Sequence, residues 1–149
     1  MIVLDTHVLV WWLAQAPGLS ARGKRAIGKH AAAGEIVAST ISVLEIATAV
    51  RRGRLHFNVP LDQWLADVRS IPELRLEPVS AEIAAVAGSF LEPMHGDPAD
   101  RIIAATATVL RAALVTADDR MRSLRALRTI WSFGRGSAAW CAPGAAIVL

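Results

Sequence analysis

Residues 1–14 read Met1-Ile-Val-Leu-Asp5-Thr6-His7-Val-Leu-Val-Trp11-Trp12-Leu-Ala14. Three apolar residues followed at once by an acid are too short for a helix and read as a buried strand ending at Asp5. The stretch 6–14 then reads as a helix. A buried strand handing directly to a helix is half of a βα unit, and the rest of the chain repeats the pattern. Further strands are expected over 35–39, 74–79, 114–116 and 128–131. Helices are expected over 20–33, 42–52, 60–70, 80–91 and 98–113, with a short one after Asp119. Alternating β and α elements predict an α/β fold, a parallel sheet of about five strands sandwiched between helices.

The 149 residues fit one domain. We expect it over 1–131, with a C-terminal tail over 132–149 that is rich in Gly, Ala and Ser and shows no usable period. Fifty-four per cent of the chain is apolar and 19% charged, which excludes disorder and permits a sizeable core. No apolar run approaches the ~18–20 residues of a membrane-spanning helix, and Asp5 falls where a signal peptide would carry its basic region. The single cysteine, Cys141, excludes a disulfide framework and a cysteine-based zinc site. A cytoplasmic setting is expected. The formal charge is +3 and the isoelectric point near 10.0. Fourteen of the 16 cations are arginine, whose planar fork suits phosphate, so a polyanionic partner is indicated.

The informative acids lie at the ends of elements. Asp5 and Asp118 follow expected strands; Glu45, Asp97 and Asp100 open expected helices. In parallel α/β sheets these positions share the edge at which ligands bind. Each acid has a structural alternative. Ser42-x-x-Glu45 reads as a capping box. Asp97-Pro98-Ala99-Asp100 reads as an N-cap, a proline at N1 and an acid at N3. Asp118 can begin a turn. Asp5 is different, because an acid closing a central apolar strand must be paired or must bind a cation. Clustered carboxylates also repel unless a cation neutralises them. A hard divalent ion held by oxygens does this, and Mg²⁺ keeps waters that a substrate phosphate can replace.

Taken in order, Ile2-Val3-Leu4-Asp5-Thr6-His7, Ser42-x-x-Glu45, His95-Gly96-Asp97-Pro98-x-Asp100-Arg101 and Val115-Thr116-x-Asp118 resemble the PIN-domain ribonucleases, specifically the VapC-type toxins of toxin–antitoxin pairs. The resemblance covers the chain to about Trp131. It implies an endoribonuclease with an acidic pocket for Mg²⁺ or Mn²⁺. Asp5, Glu45, Asp100 and Asp118 match its catalytic and metal-binding acids; Asp97 and Thr116 match accessory positions. Asp119 has no counterpart, and its side chain is expected to point away from Asp118. The resemblance also implies an RNA substrate, a homodimer, and a VapB-like antitoxin whose C-terminal segment covers the pocket.

A phosphodiester is shielded by its own charge, so its hydrolysis needs neutralisation and a nucleophile, both of which a bound Mg²⁺ supplies. Asp5 and Asp118, at strand ends, are expected to ligate directly; Glu45 and Asp100 are expected to orient water or hold a second ion. His7 and His95 are read chiefly as packed polar residues. Arg51, Arg52 and Arg101 are candidate RNA contacts, within a wider set that includes Arg22, Arg25, Arg54, Arg120, Arg122, Arg125 and Arg128. Five Trp, three Phe and no Tyr leave little stacking surface, so phosphate and RNA shape are expected to dominate, with steep salt dependence. Trp11 and Trp12 lie ~100° apart on a helix, so one is expected in the core and the other towards solvent or a partner.

Other classes fit less well. A phosphoaspartyl phosphatase needs a second Asp where this chain has His7, and a receiver domain needs a late-strand Lys, yet no Lys follows Lys29. Two alternatives stay open on the residues alone. One is a PIN fold that binds RNA or protein with weak catalysis, whose sign is a missing acid. The other is a nuclease acting on DNA, since metal-assisted hydrolysis needs no 2′-hydroxyl.

Overall fold

The computed structural model describes residues 1–90, 97–124, 127–131 and 147–148. Strand β1 (Ile2–Leu4) leads to α1 (Thr6–Leu13) and α2 (Ala21–Ala31). Then come β2 (Ile36–Ser39), α3 (Ile41–Arg51), β3 (Leu55–His56), α4 (Leu61–Arg69), β4 (Leu74–Glu77) and α5 (Ala81–Ser89). The described chain continues with α6 (Pro98–Val109), β5 (Ala113–Val115), α7 (Asp119–Arg122), β6 (Thr129–Ile130) and β7 (Ile147–Val148).

Five strands form a parallel sheet in the order β4-β2-β1-β5-β6. Strand β1 is central, with Leu4 level with Ala38 of β2 and Val115 of β5. Its side chains alternate between faces as a period of two requires. Ile2 and Leu4 join Val8, Trp11, Ile27, Ile46 and Trp64 under α1–α4, whereas Val3 packs with Ile103, Ala104 and Met121 of α6 and α7. Helix α5 covers α6 through Ile83 and Ala87 against Ala105. This is the expected sandwich. From β1 the chain winds outward to β4 and then returns to β5 on the other side. The crevice at that reversal lies beyond the carboxyl ends of β1 and its neighbours, where α/β sheets bind ligands.

Four local readings of the sequence need correction or addition. Helix α3 opens at Ile41 with Thr40 at the cap, not at Ser42, and Thr40 makes no capping bond. Ser42 is buried and turned towards Thr6, so its hydroxyl belongs to the interior. Helix α6 stops at Val109. Arg111 takes a left-handed φ of 50°, and Ala112 N–H bonds back to Ala107 O, which swings the chain directly into β5. Apolar residues run through that boundary, so periodicity alone hides it. Strand β3, which is not among the expected elements, pairs in parallel with β7 from the tail: Leu55 with Ile147 and His56 with Val148. The rest of the tail lies outside the described residues. Trp11 is buried against Trp131, while Trp12 is partly buried at the core margin. Among the described residues no helix is long and apolar enough to cross a membrane.

Candidate active site

Asp5 leaves the end of β1 only 3% exposed and stands at the N-cap of α1, yet its carboxylate makes no capping bond. The other two aspartates at such positions do. Asp97 accepts from Ala99 N–H at 3.0 Å, and Asp118 accepts from Arg120 and Met121 N–H at 2.7 and 3.2 Å. Asp5 is held instead by Thr116, whose hydroxyl donates to Asp5 Oδ2 at 2.7 Å and accepts from Asp118 N–H at 3.0 Å. One buried hydroxyl therefore ties together the ends of β1 and β5.

Glu45 is held in the same manner from the other side. Thr6 Oγ1 donates to Glu45 Oε2 at 2.5 Å and lies 2.8 Å from Ser42 Oγ. A hydroxyl has one proton, so with Glu45 taking it Ser42 serves Thr6 as donor. Thr6 and Ser42 were quoted in the sequence only as parts of motifs. The available signal was a hydroxyl directly after Asp5 and another three residues before Glu45.

The acids share one field. Burial raises Asp5 above the usual carboxylate range, with His7 and the Thr116 hydrogen bond opposing and Asp118 reinforcing. Glu45 is pushed up to about 6 by burial and by the charges of Asp5 and Asp97, against the Thr6 hydrogen bond. Asp100, in the first turn of α6, is pushed up to about 7 by burial and then by Asp5, Asp97, Asp118 and Glu45. Asp5, Glu45 and Asp100 are thus each held up in part by neighbouring carboxylates that lie far from them in sequence.

The donor set is all oxygen, which suits a hard cation. Among the described residues no three His, Cys, Asp or Glu side chains converge tightly enough to enclose an ion by themselves.

A groove of about 420 Å³ runs from Thr6, His7, Glu45 and Asp97 along α3 to Arg52 and Arg54. Arg51 is exposed and is not among the groove's described lining residues. Arg101 is turned elsewhere: Nε donates to Ala87 O at 2.9 Å and a terminal nitrogen to Phe90 O at 2.5 Å, where α5 ends. Asp119 is 80% exposed and pairs with Arg122 at 2.7 Å, away from the cluster. His95 and Arg125 lie outside the described residues.

A parallel α/β sandwich with carboxylates gathered at its switch point defines an α/β protein that works through an acidic pocket. The PIN domain family model matches residues 2–127, and the chain belongs to that family. It is 36% identical over 132 residues to Ribonuclease VapC22 of Mycobacterium tuberculosis, covering 87% of this chain and 98% of that protein. Two solved structures share the fold. The VapBC2 complex of Rickettsia felis bound to a promoter DNA fragment has a TM-score of 0.63 and 20% identity, over 87% of this chain and 97% of that one. DNA-bound VapBC of Salmonella typhimurium has a TM-score of 0.62 and 17% identity, over 86% and 95%.

Proposed function

We propose that the protein is a metal-dependent endoribonuclease and the toxin of a toxin–antitoxin pair. The observation that carries this reading is the gathering of Asp5, Glu45, Asp97, Asp100 and Asp118 at one sheet edge, where burial and the other four carboxylates push Asp100 up to about 7. A bound cation would relieve both the burial cost and the repulsion among these carboxylates. Similarity to a VapC ribonuclease over nearly its whole length supports the same reading.

Asp5, Asp118, Glu45 and Asp100 would hold Mg²⁺ or Mn²⁺. When bound, the ion polarises a phosphate oxygen and lowers the pKa of a coordinated water. Asp5 and Asp118 would be the direct ligands, with Thr116 tying the Asp5 carboxylate to the backbone at Asp118. Glu45 and Asp100 would orient the attacking water or hold a second ion. Asp97 fixes the start of α6 and so the place of Asp100. Arg52 and Arg54 grip phosphate outside the acids, whereas Arg101 braces α5. We place the nuclease domain at residues 1–131 and the protein in the cytoplasm, with a second copy and a VapB-like antitoxin as protein partners. An antitoxin arginine directed at these carboxylates would complement the pocket.

Cleavage of end-labelled RNA and of matched DNA tests the reading. RNA cleavage in Mg²⁺ or Mn²⁺, abolished by EDTA and by Asp5→Ala, is expected; chelator-resistant cleavage would overturn it.

A further inference from the structure

Between the acids and Arg52 the groove has a wall that the hydrolysis itself does not use. Ile41, Leu44 and Thr48 form it on one stripe of α3, shared at helix-face spacings with Glu45 and running on to Arg52 at the cap just past its end, with Pro98 also lining the groove. Leu44 is 61% exposed, more than any other large apolar side chain described. An isolated exposed leucine needs no explanation. This one lies in a concavity, beside Glu45, with Ile41 and Pro98 for company.

We propose that this wall is a nucleobase seat that takes one unpaired base of single-stranded RNA next to the scissile phosphate, and so sets where the enzyme cuts. The proposal rests on the RNA-cleaving reading above. A cavity of about 420 Å³ is large enough for a nucleotide. Leu44 offers an apolar face to the base, and the Thr48 hydroxyl can donate to or accept from its edge. Arg52 lies seven residues beyond Glu45, ~10 Å along the axis, and with Arg54 supplies the charge for the next stretch of backbone. Those two cations favour a polyanion over an apolar protein segment as the occupant. A base already stacked in a duplex cannot enter such a seat, so the substrate class is unpaired RNA. Base recognition then comes chiefly from an aliphatic wall, since no Trp or Phe is among the groove's described lining residues.

The test uses the full chain, Leu44→Ala, Arg54→Ala, and Val79→Ala as an exposed apolar control away from the groove. End-labelled single-stranded RNA oligonucleotides, each with one randomised position, are cleaved in Mn²⁺, and their binding is followed by fluorescence anisotropy in EDTA. The wild type and Val79→Ala should discriminate between bases by roughly tenfold at one position beside the cut, and Leu44→Ala should reduce this to under about threefold with an unchanged melting temperature. Arg54→Ala should weaken binding evenly for all bases and flatten its salt dependence. A base preference untouched by Leu44→Ala, or a wild type with no preference, overturns the seat. So does a Leu44→Ala protein altered only in antitoxin binding, which would make the wall a protein contact. Leu44-dependent base preference in binding, without metal-dependent cleavage, would support the seat and refute the nuclease reading alone.

Discussion

Replacing Asp100 by Asn should stabilise the ion-free protein at alkaline pH while abolishing its activity. The folded chain keeps a proton on Asp100 up to a pH of about 7, whereas an ordinary aspartate releases it near 3.8. Between these values the folded state binds more protons than the unfolded one, so stability falls as pH rises through the window. Converted at ~1.4 kcal/mol per decade, the full shift corresponds to about 4 kcal/mol. Asp100 is only partly buried, and solvent screening reduces this to about 1–2 kcal/mol. Asn also forfeits the favourable charge at the start of α6, about 0.5 kcal/mol. A net gain of about 1 kcal/mol remains, or ~2–4 °C in melting temperature for a chain of this size. Thermal melts in EDTA should show that gain at pH 8 and none at pH 4, where the wild-type carboxyl is neutral as well. Adding Mn²⁺ at pH 8 should raise the wild type more than Asp100→Asn and reverse their order, because an ion bound to the folded state stabilises by mass action. A variant less stable than wild type at pH 8 in EDTA, or equally displaced at both pH values, would refute the claim that the carboxylates destabilise the protein when chelator withholds metal.

Thr116→Val removes the hydroxyl shared by Asp5 and Asp118 N–H and should cost ~1–3 kcal/mol in chemical denaturation. It should also weaken Mn²⁺ binding measured by calorimetry, and Thr116→Ser should restore both; failure of the serine to rescue would show that the methyl matters more than the bond. Arg101→Met should destabilise by ~1–3 kcal/mol by stripping donors from the carbonyls ending α5, while the salt slope of RNA binding stays as in wild type. A shallower slope would return Arg101 to the RNA surface. Gly18→Ala should lose ~1–3 kcal/mol, because a Cβ there meets the Trp11 ring at 2.7 Å and that ring is pinned against Trp131. A neutral melt would mean that the tryptophan pair can shift.

Most of the fold was legible because its elements carry signals that act locally. Ile2-Val3-Leu4, buried on both faces, can only be an interior strand, and the Asp97-Pro98 cap marks the start of α6 unambiguously. The misread boundaries are those at which tertiary structure overrides a local signal. Ser42 has the right spacing to cap α3, but Thr6 reaches across from α1 and draws its hydroxyl inward. The end of α6 depends on Arg111 accepting a left-handed turn that no glycine announces. Strand β3 is two residues long, and its partner comes from 92 positions away in Leu55–Ile147 register, beyond the reach of any window read along the sequence.

The site was legible to a different depth. Five acids at element ends could be named, because strand ends and helix starts meet at one edge of any parallel sheet. What orders them could not, since it depends on which oxygens are already engaged. Asp97 and Asp118 lend carboxylate oxygens to helix caps, whereas Asp5 is left to Thr116 and Glu45 to Thr6. The two carboxylates with threonine partners are thus the ones whose positions are set from the interior, by bonds that hold without a metal. This division also explains the modest net charge of +3. Setting Asp5, Glu45, Asp100 and Asp118 aside leaves 16 cations against nine acids. An average taken over the whole chain hides an acidic pit within a basic surround, and an RNA strand approaching Arg52 and Arg54 meets the surround first. Binding and cleavage therefore fall to charges of opposite sign, so mutations in the two sets should separate: arginine losses acting on affinity and its salt dependence, acid losses on turnover.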